Sequence, residues 1–116
     1  MTNDRSTVLV FKTNGMGSTD DQGLKERLAA IFLNLLADSD PLPNGVCFYT
    51  DGVKLVVEGS PVLEQLQALE QRGVRLIICR TCLEAFGLLD RVKVGIVGGM
   101  PDILEAMWRA DKVIAV

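Results

Sequence analysis

Two of the three cysteines stand three residues apart in the stretch RLIICRTCLEAFGLL (75–89), as Cys79-Arg80-Thr81-Cys82. A C-x-x-C spacing serves four ends: a metal clip, a dithiol redox pair, a site that handles sulfur as a nucleophilic thiolate, or two buried thiols that only fill space. Structural zinc takes four Cys or His ligands, and this chain has no histidine and only Cys47 as a third thiol. Cys47 falls near the start of one apolar run and Cys79 at the end of the next. On neighbouring strands they would lie about three residues apart, roughly 10 Å, too far for a shared ion or a disulfide. No metal or other cofactor is expected, and Cys47 reads as core. Without histidine the commonest general base is also missing, which disfavours ester or peptide hydrolysis. Sulfur exchange needs only a thiolate and access to it.

The elements that must position these thiols follow one rhythm. TVLVFKT (7–13) is a β-branched run, and Leu24, Leu28, Ile31, Phe32, Leu35 and Leu36 follow it at helical spacing, with Thr19 and Gln22 placed as a capping box. VCFYT (46–50) reads as a second strand. Ser60-Pro61 opens a helix striped with Leu63, Leu66 and Leu69, which Gly73 ends. VRLIIC (74–79), VKVGIV (92–97) and KVIAV (112–116) complete five strands. A short helix over 81–86 and a last helix carrying Ile103, Leu104, Met107 and Trp108 lie between them. Near-continuous apolar strands alternating with helices predict a three-layer α/β/α sandwich with a five-stranded parallel sheet.

In such a sheet, ligands bind outside the carboxyl ends of the strands. The C-x-x-C lies there, as do the loops holding Asn14, Gly15 and Gly17, and Asp51, Gly52 and Lys54. The glycines allow turns or an anion cradle, and Lys54 offers either a surface charge or a guide for an anionic donor. Thr81-Cys82-Leu83-Glu84 fits a capping box, with Thr81 as N-cap and Cys82 as the first helical residue. Cys79 would then face the positive end of a short helix with Arg80 beside it, conditions that favour a thiolate.

Composition bounds the rest. The chain has 116 residues, enough for one domain over 1–116 with 1–6 as a flexible tail. It is 48% hydrophobic and 23% charged, with a net charge of −3 and twelve scattered Lys and Arg residues, so neither nucleic acid nor an anionic membrane is an expected partner. No run approaches the roughly 18 apolar residues of a membrane span. The opening MTNDRST lacks the apolar core of a signal peptide, which sets the expectation of a cytoplasmic protein with reduced thiols.

The stretch TDGVKLVVEGSPVLEQLQALEQRGVRLIICRTCLEAFGL, together with GMGSTDDQGLKERLAAIFLNLL, closely resembles the DsrE-like domain of the sulfurtransferase-like selenium-metabolism proteins of the YedF type. The shared features are G-V-K-L after the second strand, a G-S helix start, E-x-x-G-V into the third strand, and C-x-T-C before a short helix ending in G-L. The resemblance implies a five-stranded parallel fold and a sulfur or selenium relay. It puts a persulfide on Cys79, with Cys82 as resolving or supporting thiol and Arg80 and Thr81 around them. It further implies a homo-oligomer and a partner such as a TusA-like sulfur carrier. Two features depart from the family: the TusA-like domain usually joined to this one has no room within 116 residues, and Arg80 stands where a small residue is expected. Dithiol–disulfide exchange and a non-catalytic assembly module remain the other readings.

Overall fold

A computed structural model describes residues 6–116. Five strands, β1 (Thr7–Phe11), β2 (Gly45–Phe48), β3 (Arg75–Cys79), β4 (Ile96–Gly98) and β5 (Lys112–Ala115), form one parallel sheet in the order β4-β3-β2-β1-β5. Between them run α1 (Gln22–Ala37), α2 (Leu63–Gln71), α3 (Arg80–Ala85) and α4 (Met100–Arg109). Two 3-10 turns, Thr50–Val56 and Leu89–Arg91, complete the chain. The flexible tail expected over 1–6 lies outside the described residues except for Ser6. Its amide donates to Asp111 Oδ2 at 2.9 Å and ties the start of β1 to the start of β5.

Successive steps β1→β2→β3→β4 move one way across the sheet, and right-handed crossovers put their helices on one face, where α1 packs against α2. The return from β4 to β5 crosses in the opposite sense and carries α4 over the other face, against β3 and β4. Residues paired across parallel strands share a face. Phe11 pairs with Phe48, and their rings stack at 5.6 Å while Phe32 of α1 meets Phe11 edge-on at 6.3 Å. This aromatic cluster is the core beneath α1. Val10, Cys47 and Ile77 are in register with one another on the opposite face, buried with Ile103 of α4. The sandwich is therefore three-layered, as its strand pattern predicts.

Several boundaries differ from expectation, each for a local reason. Thr19 does not cap α1; Asp21 does, accepting from the Leu24 amide at 3.0 Å, while Thr19 Oγ1 accepts from the Asp21 amide. Ser60 Oγ accepts from the Val62 amide in a turn, and α2 begins only at Leu63. Residues 92–95, expected to open β4, lie outside it, and Val92 and Lys93 instead pair with the end of the first 3-10 turn and the residue after it. The Lys93 amide donates to Val56 O at 2.8 Å, and Val57 bridges Val92. Gly95, at φ 88°, turns the chain from there into a three-residue β4.

Candidate functional site

β3 runs into α3 with no intervening loop, which is what brings the two thiols together. The chain bends at Cys79 (φ −67°, ψ 114°), so Cys79 is itself the N-cap and Arg80 is already helical. Thr81 is thus an exposed residue of the first turn and makes no cap, a correction to the expected capping box. Glu84 lies one turn beyond Arg80 and pairs with it at 3.3 Å, both side chains more than half exposed. The guanidinium is engaged away from the role of thiolate neighbour expected of it. Residues three apart in a helical turn share a face. Cys82 Sγ accordingly comes to 3.2 Å from Cys79 Sγ, its thiol donating to Cys79. The two are unequal: Cys79 is 1% exposed, whereas Cys82 is partly open to solvent.

A second group converges on Cys82 that sequence reasoning missed. The Thr50 amide donates to Cys82 Sγ at 3.1 Å. Thr50 has φ 46° and is the one non-glycine residue with positive φ among those described. A β-branched residue there is strained, at a cost on the order of 1–3 kcal/mol. The surroundings impose it. Thr50 Oγ1 lies 2.7 Å from Lys12 O and from Tyr49 O, and the Tyr49 amide donates to Phe11 O at 3.2 Å. Gly52 lets the turn close on β1, since a Cβ there would stand 2.0 Å from Phe11 O. The sequence signal was the T-D-G-V-K run itself, but its glycine reads as an ordinary turn until the approach to β1 is seen.

The electrostatics at Cys82 oppose one another. Burial raises its thiol above the ordinary range, as does the hydrogen bond to Cys79; the Thr50 amide pulls it down, and the charges of Cys79 and Asp51 add smaller upward pushes. Cys47 is a separate matter: fully buried, it is pushed up to about 11 by desolvation, against the lowering pull of Arg75. Its register partner is Ile77, so it stands two residues back from Cys79 along the sheet rather than three, and on the same face. Among the described residues, no three His, Cys, Asp or Glu side chains are grouped to hold a metal ion.

The other loop residues divide. Lys54 Nζ pairs with Asp51 at 2.8 Å and sits 4.5 Å above the Phe86 ring, one helical turn beyond Cys82. Lys54 and Phe86 line a cleft of about 460 Å³ with Asn14, Glu26, Glu58 and Ser60. So Asn14 and Lys54 share this cleft, while Asp51, paired with Lys54, is among the charges acting on Cys82. Gly15 and Gly17 serve their own loop, the carbonyls of both accepting from Thr13 Oγ1, and a Cβ at Gly15 would stand 2.6 Å from Lys25 Cβ. Gly52 has a structural reason in the close approach just described. No helix of the described residues is long and apolar enough to cross a membrane.

Known proteins share the fold that carries these residues. No curated protein matches the sequence significantly. Three solved structures share the fold across almost the whole chain. The ychN protein of E. coli matches at 20% identity and a TM-score of 0.63, covering 97% of this chain and 99% of its own. MTH1491 of Methanobacterium thermoautotrophicum matches at 23% and 0.69, covering 97% and 100%. BT1422 of Bacteroides thetaiotaomicron matches at 17% and 0.62, covering 96% and 95%. The profile of the DsrE/DsrF-like family matches residues 6–116, and with the five-stranded parallel fold this makes the chain a member of the DsrE/DsrF-like family.

Proposed function

We propose that this protein relays sulfur, taking a sulfane sulfur as a persulfide on the Cys79–Cys82 pair and passing it to the thiol of a partner protein. The observation that carries the reading is the 3.2 Å approach of the two sulfurs, one of them open to solvent, in a member of a family associated with sulfur relay. The C-x-T-C resemblance to selenium-metabolism proteins of the YedF type assigns the acceptor role to Cys79 and leaves sulfur or selenium as the cargo. Exposure favours Cys82 as the atom that meets a donor, so the proposal is made of the pair. A TusA-like carrier fits as partner, a reducing compartment such as the cytoplasm suits free thiols, and Lys54, with Asn14 in the cleft they share, would meet an anionic donor.

Assembly into a homo-oligomer belongs to the same reading. Met100, Leu104 and Trp108 recur every four residues along the outer side of α4, all exposed, and Trp108 is 84% exposed, hence no part of the monomer's core. On the other side of the sheet, Leu28, Ile31 and Leu35 stand exposed on α1. Apolar stripes of this kind mark contact surfaces.

Intact-mass analysis tests the relay. Reduced protein treated with a persulfide donor should gain about 32 Da per sulfur atom, the adduct mapping to Cys79 or Cys82 and moving to an added acceptor thiol. Absence of any adduct on either cysteine would overturn the reading. Dithiol–disulfide exchange is the second reading, favoured by the same short S···S distance; it predicts a reversible Cys79–Cys82 disulfide without sulfur uptake.

A further inference from the structure

We infer that Cys82 is the loading thiol and Cys79 its resolving thiol, so that a loaded sulfur with no acceptor present is discharged as sulfide while the pair closes to a disulfide. This rests on sulfur uptake as proposed above and adds a direction and a product to it. The first observation is the difference in exposure. A donor can reach Cys82, whereas Cys79, at 1% exposure and at the buried end of β3, can react only with what Cys82 presents to it.

The second observation is the distance. Displacement at sulfur proceeds in line, with the nucleophile, the attacked sulfur and the leaving sulfur on one axis. If Cys82 carries an outer sulfur, Cys79 has two atoms to attack. In-line attack on the outer atom would require Cys79 Sγ to stand about 5 Å from Cys82 Sγ, one S–S bond of about 2 Å plus a contact. It stands at 3.2 Å, the separation for attack on the inner atom, Cys82 Sγ itself. In the reduced pair that contact is a hydrogen bond. Once Cys82 Sγ has exchanged its proton for a sulfur, the same contact joins a nucleophile to an electrophile. Closing it to a disulfide needs a movement of only about 1.2 Å.

The steps balance. Cys82 thiolate attacks the outer sulfur of a persulfide donor, and the donor leaves as its thiolate. The Cys79 thiol then bonds to Cys82 Sγ, the bond from Cys82 Sγ to the outer sulfur breaks, and the Cys79 proton departs with that sulfur as HS⁻. The two cysteines are oxidised by two electrons and the sulfane sulfur is reduced to sulfide. A dithiol reductant restores the pair by thiol–disulfide exchange. An acceptor thiol that attacks the outer sulfur first diverts it from this route, so relay and release compete for one intermediate.

Inorganic tetrasulfide serves as the loading probe, with the full chain reduced, loaded, desalted and followed by non-reducing intact mass and by sulfide assay. Wild-type protein should pass from the adduct, about 32 Da heavy, to a species about 2 Da light, releasing one sulfide per chain. Cys79→Ser should hold the adduct on Cys82 and release none; Cys79→Ala repeats the measurement without a hydroxyl in the buried position. A wild-type adduct as persistent as that of the variants would overturn the resolving role while leaving uptake intact. If the wild type loads but neither Cys79 variant does, in each case with native circular dichroism, Cys82 is not the loading thiol. Failure of all three proteins to load would instead refute the proposed uptake of sulfur.

Discussion

The Thr50 amide nitrogen lies 3.1 Å from Cys82 Sγ, aimed there by a backbone angle of φ 46° that threonine rarely adopts. A strained residue persists only where its neighbours over-determine it, and here the Lys12 carbonyl, the Phe11 carbonyl and the side-chain-free Gly52 do so. The hydrogen bond favours an anion on Cys82. Thr50→Val, which lacks the hydroxyl that reaches Lys12 O, should loosen the amide and move Cys82 alkylation to higher pH. Thr50→Ser should restore the profile. A Thr50→Val profile superimposable on wild type would remove Thr50 from the site.

Cys82 should be the first thiol modified in the native protein, and Cys79 and Cys47 should resist until unfolding, because both are buried. Since the hydrogen bond to Cys79 and the charge of Cys79 both raise Cys82, Cys79→Ala should move its alkylation profile to lower pH. Arg80→Ala should leave that profile in place, because the guanidinium pairs with Glu84; as an exposed pair it should cost no more than about 0.5 kcal/mol of stability. Iodoacetamide rates with peptide mapping measure the alkylation outcomes, and urea denaturation of Arg80→Ala measures the stability.

Cys47 gives the fold a pH dependence of its own. Its thiol is raised from 9.0 to about 11 in the folded protein by burial. Between those values the folded state holds a proton that the unfolded chain has lost, so stability falls as pH rises, by roughly 2–3 kcal/mol in all. Below pH 9 both states are protonated and the contribution is complete. Urea denaturation of wild type and Cys47→Ala at pH 8 and pH 11 isolates this term. The variant should start about 1 kcal/mol lower from the lost packing and should show a shallower decline.

Gly52→Ala should be among the most damaging single-methyl substitutions in the chain. Its Cβ would meet the Phe11 carbonyl at 2.0 Å, and the backbone must shift, at a cost of more than about 3 kcal/mol. Gly17→Ala, with φ 80° and nothing within 4 Å, should cost only about 1 kcal/mol, the conformational penalty alone. Thermal unfolding of the two variants compares the effects directly. Comparable losses would mean that the turn is not held against β1.

The apolar stripe on α4 leads to a prediction about mass. Light scattering at micromolar concentration should give a multiple of the 12.6 kDa chain. Leu104→Glu combined with Trp108→Glu should reduce it, since both side chains are exposed in the single chain and their replacement leaves its core intact. A monomeric wild type would exclude assembly through this face.

The alternation of apolar strands with amphipathic helices was sufficient, from the sequence, for a parallel three-layer sheet and for placing Cys79 where β3 ends. Both follow from periodicities that a strand and a helix impose locally. The C-x-x-C spacing likewise permitted a close pair of thiols, and the direct entry of β3 into α3 realises it, since three residues there make nearly one helical turn. Its polarity was not legible. Whether Thr81 or Cys79 caps α3 depends on how directly β3 enters the helix, and both choices satisfy the same local pattern. The shortened β4 answers to a long-range antiparallel pairing of residues 92–93 with 56–57 that no local period encodes. The Thr50 amide is the clearest case. Nothing in its residue type announces a left-handed backbone, because the strain is imposed by β1 and by the approach Gly52 permits. Local chemistry determined which atoms were available, and tertiary contacts decided which sulfur faces solvent and which amide faces the sulfur.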